Sequence, residues 1–285
     1  MTAPSVYNNP ALATRKVRFH RVLAAEWIKA RSLRSTWWVF GVYLVLTLGF
    51  QLILVFNFYW PAVNEVAGGV EAWRRLVSEQ MAEGQATVAF SMVIMVLAVA
   101  GVLLLTNEYS SGMIRSTFAA VPRRWPVFLA KALLISLFTV ALMACAELLG
   151  AAVAGLVAQS KGATLVLTPT VWRIWGMSLV TGALLVLLFL GLGALLRSSA
   201  AGIATAYGLS MVIPTMILPL LGLVNDVFLK AVKYFPMAAG ASTIASSPLG
   251  ESDSSLSLWA GFWVMLAWAA VAMAFGGWRF MRRDA

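Results

Sequence analysis

The stretch of sequence that decides the fold lies at residues 174–196 and reads IWGMSLVTGALLVLLFLGLGALL. It contains no charged side chain, and a helix of about 20 such residues crosses the roughly 30 Å hydrocarbon core of a bilayer. Comparable apolar stretches occur at five other places, residues 37–59, 86–106, 132–158, 200–224 and 256–278. The sequence therefore predicts an all-α, polytopic membrane protein with six transmembrane helices.

The composition agrees with a lipid environment. The chain has 285 residues, of which 61% are hydrophobic and 11% charged, and its mean hydropathy is +0.86. A soluble domain carries about 25% charged residues. The single cysteine, Cys145, is predicted to be buried and inert, and the single histidine, His20, precedes the first span, which excludes histidine- or thiol-based metal sites in the membrane. No cleavage site follows the first apolar run, so we expect it to be retained.

The distribution of charge predicts the orientation. The 21 Lys and Arg residues exceed the 11 Asp and Glu residues, which gives a net charge of +10. Such an excess in a soluble protein would suggest a nucleic-acid partner. If the N-terminus lies inside, however, most basic residues fall in inside loops, as the positive-inside rule requires, and most acidic residues in the loops fall outside. We therefore expect a multi-pass protein of the cytoplasmic membrane, with both termini cytoplasmic and no nucleic-acid partner.

Residues 1–36 form a polar tail followed by a predicted amphipathic helix. Its apolar residues recur at steps of three and four, namely Phe19, Val22, Leu23, Trp27, Ala30 and Leu33. Basic residues lie between them, a pattern typical of helices in the headgroup layer. Two interpretations stay open, a juxtamembrane anchor or an elbow helix that also lines a partner-binding surface. The candidate residues are Glu26, Trp27, Lys29 and Arg31.

The loop after the second span, residues 107–131, is the most distinctive segment and reads NEYSSGMIRSTFAAVPRRWPVFLAK. It is long enough for a short helix across the inner surface. Glu108 is predicted near the N-terminus of that helix, where the helix dipole favours a carboxylate. Gly112 permits an unusual backbone angle, and Pro122 is expected to end the helix.

This loop resembles type-2 ABC exporter permeases, notably the actinobacterial ones. The resemblance rests on Glu-Tyr-x-x-Gly-x-Ile-Arg-x-Thr, then Pro-Arg-Arg and a later Lys, which here are Glu108, Tyr109, Gly112, Ile114, Arg115, Thr117, Pro122, Arg123, Arg124 and Lys131. The run from Ala25 to Lys29, followed by Arg31, is similar to the N-terminal helix of the same family. Phe118 stands where a leucine is usual.

The resemblance implies a permease subunit that pairs with an ABC ATPase subunit and with a second permease, either a copy or a homologue. It also implies that the 107–131 loop is a coupling helix that docks on the ATPase. The sequence contains no Gly-x-x-x-x-Gly-Lys-Ser/Thr phosphate loop. We therefore expect ATP and Mg on the separate ATPase, no cofactor or metal on this chain, and no enzymatic activity of this chain alone.

Polar residues inside the spans are candidates for the transport path. Glu147 is the only acid in a span, and its burial is costly, so it serves either the path or helix packing. Gln51 and Asn57 lie in the outer part of the first span and could line a polar cavity. The fifth span contains Pro214 and Pro219, which predicts a kink or break. Residues 225–255 are predicted as an extracellular loop with a short helix.

The scarcity of charge in the spans favours export of an amphiphilic or lipophilic cargo such as a drug, a peptide antibiotic or a lipid. Two other classes of protein stay open. One is a non-transporting scaffold or sensor that partners an ATPase or a kinase. The other is an intramembrane enzyme, which is disfavoured because the spans contain no histidine and only one acid.

Overall fold

The computed structural model describes residues 18–32, 34–59, 71–121, 123–160, 165–246 and 255–282. Within these ranges the regular elements are helices, and no strand occurs among them. The all-α prediction is therefore confirmed. Leu33 and Pro122 lie outside the described ranges, as do residues 1–17 of the predicted tail and residues 247–254 of the predicted extracellular loop.

Twelve α-helices of the described ranges are numbered here in chain order. They are α1 Phe19–Ser32, α2 Arg34–Leu54, α3 Glu71–Met92, α4 Ala98–Ser110, α5 Met113–Ala120, α6 Trp125–Gln159, α7 Pro169–Leu196, α8 Ser199–Tyr207, α9 Leu218–Gly222, α10 Val227–Ala231, α11 Pro236–Ile244 and α12 Leu258–Arg282. π-helical segments occupy Val55–Tyr59, Val93–Leu97 and Gly208–Ile217, and a 3₁₀ turn occupies Val232–Tyr234.

Among the described residues, five helices are long and apolar enough to cross a membrane. They are Trp37–Asn57, Trp125–Gln159, Pro169–Leu196, Ser199–Gly222 and Leu258–Arg282. Five of the six predicted spans are thus confirmed as candidates. The predicted span at residues 86–106 is not among them, and its residues belong to the end of α3, a π-helical segment and the start of α4.

Helix α7 is the centre of the bundle. It packs against α3, α4, α6 and α12, and 56% of its most apolar window is buried, the largest share of the five candidate spans. The contact with α12 is close because glycines face each other there. A Cβ placed on Gly276 would clash with the carbonyl oxygen of Gly191, and a Cβ on Gly191 would clash with the backbone of Ala272. Small residues thus let the two backbones touch, as in other membrane helix pairs.

The fifth predicted span, expected to be kinked or broken, is one helix from Ser199 to Gly222 with an irregular middle. Helix α8 gives way at Gly208 to a ten-residue π-helical segment that contains Pro214, and Pro219 then stands in the first turn of α9. Proline has no backbone N–H and cannot continue the normal helical bonding pattern. The wider π register accommodates this loss within the membrane-length helix.

The prediction that Cys145 is buried is wrong, because the structure places it exposed on the outside of α6. The inward face of this helix instead carries Met143, Ala146, Glu147 and Gly150. A thiol on the opposite side of the helix therefore faces away from the bundle core. An apolar neighbourhood in sequence does not distinguish a core position from a lipid-facing one.

Candidate functional site

A sharp change of direction separates α4 from the short helix α5. Gly112 sits between them with φ of +72°, in the left-handed region that side-chain-bearing residues rarely adopt. The prediction of an unusual backbone angle at this glycine is confirmed. Helix α5 then buries Ile114 and Thr117 and leaves Arg115 and Ser116 exposed. It is therefore amphipathic, with one face on the bundle and one face free.

A buried ion network lies beneath α5, and we define it as Glu26, Lys29, Glu108 and Lys131. The Lys131 ammonium donates to Glu26 Oε2 at 2.6 Å and to Glu108 Oε1 at 2.8 Å. The Lys29 ammonium donates to Glu26 Oε1 at 2.8 Å and to Glu108 Oε1 at 3.1 Å. Each lysine thus bridges both carboxylates.

The ion network is balanced in charge and shielded from solvent. Lys131 is 1% exposed, and Glu26 and Glu108 are each 4% exposed, while Lys29 is only partly buried. Its two lysines and two glutamates carry no net charge. A buried charge is tolerated only when it is paired and hydrogen-bonded, so the four side chains stabilise one another inside the protein.

The ion network also reaches α5 itself. Lys29 Nζ donates to Thr117 Oγ1 at 3.4 Å, so the hydroxyl on the inner face of α5 contacts the lysine from α1. Glu108 comes from the end of α4, and Lys131 lies near the start of α6. Four helices, α1, α4, α5 and α6, are therefore joined at one polar centre.

This arrangement shifts the pKa values of Glu26 and Lys29. Burial raises the pKa of Glu26, but the adjacent Lys131 and Lys29 outweigh burial and hold that pKa below its ordinary value. Burial likewise lowers the pKa of Lys29, but Glu26 and Glu108 outweigh it and raise that pKa above its ordinary value. The stabilisation from Glu26 is lost as the pH falls through its lowered pKa, and that from Lys29 as the pH rises through its raised pKa.

The prediction for Glu108 is wrong in its position. Glu108 was expected near the N-terminus of the surface helix, but it lies in the last turn of α4, before the break at Gly112. A helix C-terminus disfavours a carboxylate because of the helix dipole. Lys29 and Lys131 supply the compensating positive charge, which explains why an acid is tolerated there.

Sequence reasoning placed Lys131 only at the point where the chain re-enters the membrane, and it missed the contact with Glu26. A signal was present in α1, whose buried face consists of Val22, Glu26 and Ala30. Glu26 lies four residues after Val22 and four residues before Ala30, so its side chain shares their buried helix face. A carboxylate on such a face requires a buried cationic partner. By contrast, Trp27, predicted on the apolar face, is 42% exposed and stacks on Phe138 of α6 at 5.2 Å.

Two arginines, Arg124 and Arg197, contact aromatic side chains of α5 and α4. The Arg124 guanidinium lies 4.3 Å from the ring centre of Phe118 and donates to the carbonyl of Met281 at 3.4 Å. Arg197 lies 4.8 Å from the ring centre of Tyr109. Arg124 thus joins α5 to the end of α12, and Arg197 joins the end of α4 to the end of α7. The remaining basic candidates, Arg31, Arg115 and Arg123, are exposed.

The three transport-path candidates differ in burial and in hydrogen-bond partner. Glu147 is buried between α6 and α7 and accepts a hydrogen bond from the Ser178 hydroxyl. Gln51 is buried and donates from Nε2 to the Gln85 carbonyl of α3 at 3.2 Å. Asn57 is exposed and donates to the Ile53 carbonyl of its own helix at 2.8 Å. Glu147 and Gln51 thus lie inside the helix bundle and not on its surface.

The comparison with known families identifies the class of protein. A sequence model described as ABC-2 family transporter protein matches residues 21–285, which is nearly the whole chain. The chain therefore belongs to the ABC-2 transporter family, and the resemblance to type-2 ABC permeases is confirmed. No curated protein matches the sequence. The protein is thus a multi-pass membrane permease of a family whose members in general partner an ABC ATPase.

Proposed function

We propose that this chain is the permease subunit of an ATP-driven exporter that moves an amphiphilic or lipophilic molecule outward. A separate ABC ATPase supplies the energy. The observation that carries the proposal is the position of α5, an amphipathic helix whose free face carries Arg115 and whose buried face contacts the ion network. The family of the chain makes an ATPase the natural partner for that free face.

The proposed topology has six spans, with both termini in the cytoplasm of the cell. Residues 86–106 serve as the second span, since their helical pieces continue one another from α3 through the π segment into α4. The end of the bundle that carries α5 also carries Arg115, Arg124, Arg197 and Arg279. By the positive-inside rule this end faces the cytoplasm, where the ATPase is located.

Coupling in this proposal runs through the ion network. Arg115 and its exposed neighbours on α5 contact the ATPase. When the ATPase closes on ATP, the displacement of α5 passes through Thr117 and Glu108 to Lys29 and Lys131. Short ion pairs in a buried site resist stretching, so α1 and α6 move with α5 and do not slide past it.

The transport path is proposed to form between two permeases, identical or homologous, and not inside one bundle. The fourth candidate span, Ser199–Gly222, buries only 22% of its window and the first, Trp37–Asn57, buries 28%. These spans offer apolar surface both to lipid and to a second permease. An apolar path suits a cargo with a large apolar part, and Glu147 then serves the packing of α6 on α7.

The test is reconstitution with the ABC ATPase that co-purifies with the chain. In lipid vesicles we expect a stable complex, ATP hydrolysis and ATP-dependent movement of a fluorescent amphiphile. Arg115→Ala on α5 should weaken the complex, whereas Arg282→Ala, an exposed arginine at the same end but outside α5, should not. Failure of any ATPase to associate would overturn the proposal, and association without transport would indicate a scaffold or sensor.

A further inference from the structure

A cavity of about 110 Å³ lies immediately beside the ion network. Its wall is apolar along α2, α4 and α6, where it is formed by Val39, Phe40, Ala100, Leu103, Leu134 and Phe138. Its polar end is formed by Glu26, Lys131 and Asn107. The cavity is thus apolar over most of its length and polar at one end, as an amphiphile requires.

The cavity opens along α4. The α4 residues in its wall, at positions 100, 103, 104 and 107, follow the helical spacing of a single face, and all four are partly or fully exposed. The opposite wall, with Phe40, Leu134 and Ile135, is buried. From Asn107 to Ala100 the face extends about 10 Å along the helix. A molecule that enters with its polar group at Asn107 therefore places its chain inside the hydrocarbon layer.

The charges at the polar end select the headgroup. Lys131 and Glu26 already neutralise each other within the balanced ion network. A headgroup with net charge would bring an uncompensated charge beside a buried site, which is unfavourable. Asn107 is exposed, and its carboxamide can both donate and accept hydrogen bonds. The site therefore favours a neutral or zwitterionic headgroup.

The volume limits the apolar part of the ligand. A closed cavity of about 150 Å³ holds one benzene molecule, so the present volume holds part of one chain and not two. We propose that this cavity binds a single-chain amphiphile with a neutral or zwitterionic headgroup, drawn from the adjoining membrane leaflet. The binding site goes beyond the proposed function, because its occupancy requires neither an ATPase nor transport.

The test uses dodecyl probes that carry a photoreactive diazirine in the chain and differ only in the headgroup. The purified full-length chain in lipid nanodiscs is labelled with the maltoside, the carboxylate and the trimethylammonium probes. Peptide mapping should place the maltoside label on Ala100–Asn107 and Leu134–Phe138. Labelling there by either charged probe should be about tenfold weaker, which corresponds to about 1.4 kcal/mol.

Variants distinguish labelling inside the cavity from labelling at helix surfaces that contact lipid in general. Ala100→Phe and Leu104→Trp fill the cavity and should each reduce this labelling severalfold, whereas Ala152→Phe on the exposed face of α6 should not. Asn107→Asp should shift the preference toward the cationic probe. The proposal would be overturned if the two cavity segments were labelled no more strongly than exposed Leu148. It would also be overturned if neither filling variant reduced the labelling. These outcomes are independent of whether an ATPase associates with the chain.

Discussion

Removal of the Lys131 ammonium is the most informative change to the ion network. Lys131→Met keeps the length and apolar stem of the side chain but deletes both of its ion pairs, at 2.6 and 2.8 Å. Glu26 and Glu108 then share one cation, Lys29. The buried site then carries a net charge of minus one, because two carboxylates share a single ammonium.

The expected loss can be estimated from this imbalance. Removing one partner of a buried ion pair costs about 3–5 kcal/mol of unfolding free energy. Lys29 is partly exposed and still contacts both carboxylates, so we expect a loss near the lower end, about 3 kcal/mol. Adding Glu108→Gln to Lys131→Met restores zero net charge and leaves the Glu26–Lys29 pair. The double variant should therefore be more stable than Lys131→Met alone.

The assay is chemical unfolding of the purified chain in lipid–detergent micelles, followed by tryptophan fluorescence. Lys230→Met, a change of the same type on the exposed helix α10, is the matched control and should change stability by less than about 0.5 kcal/mol. The reasoning is refuted if Lys131→Met costs less than about 1 kcal/mol. It is also refuted if the double variant loses as much unfolding free energy as Lys131→Met and Glu108→Gln lose in sum.

Three further predictions concern the backbone and the membrane core. Gly112→Ala should lower the free energy of unfolding by about 1 kcal/mol because of the positive φ alone, since nothing lies within 4 Å of the added Cβ. The control in the same unfolding assay is Gly176→Ala, whose added Cβ also contacts nothing and whose backbone is helical. Gly276→Ala should lower the free energy of unfolding by about 1–3 kcal/mol, because the added Cβ clashes with the Gly191 backbone. An unfolding midpoint equal to that of the Gly176→Ala control would contradict the close α7–α12 contact. For Glu147, transport in vesicles should survive both Glu147→Gln and Glu147→Leu, and a loss of transport in both assembled variants would place this residue in the path.

The spans could be predicted from the sequence because membrane hydropathy is a local property. A run such as residues 174–196 has to be a buried or lipid-facing helix whatever else the chain does. The breaks were predictable at Pro214 and Gly112 for the same reason, since each residue imposes its own backbone constraint. The division of residues 86–106 by a π segment has no comparable single-residue signal, and it was not predicted.

The candidate site was predictable only in part. The loop at residues 107–131 was identified from its motif, and α5 lies within it. The ion network could not be derived from spacing, because Glu26 and Lys131 are 105 residues apart and meet only when α1 packs on α6. Glu108 was misplaced because its helix continues four residues beyond the apolar run, to Ser110, and the paired lysines stabilise its carboxylate there.

The central claim is that the ion network transmits movement from α5 to α6, and the coupling ratio tests it most directly. The number of amphiphile molecules moved per ATP hydrolysed is measured for the complex that contains the charge-balanced Glu108→Gln/Lys131→Met variant. This variant retains a neutral buried site but lacks the link between α4 and α6. The account predicts that hydrolysis continues while the coupling ratio falls severalfold relative to wild type. An unchanged coupling ratio in an assembled, stable complex would contradict it and leave the ion network a purely structural role.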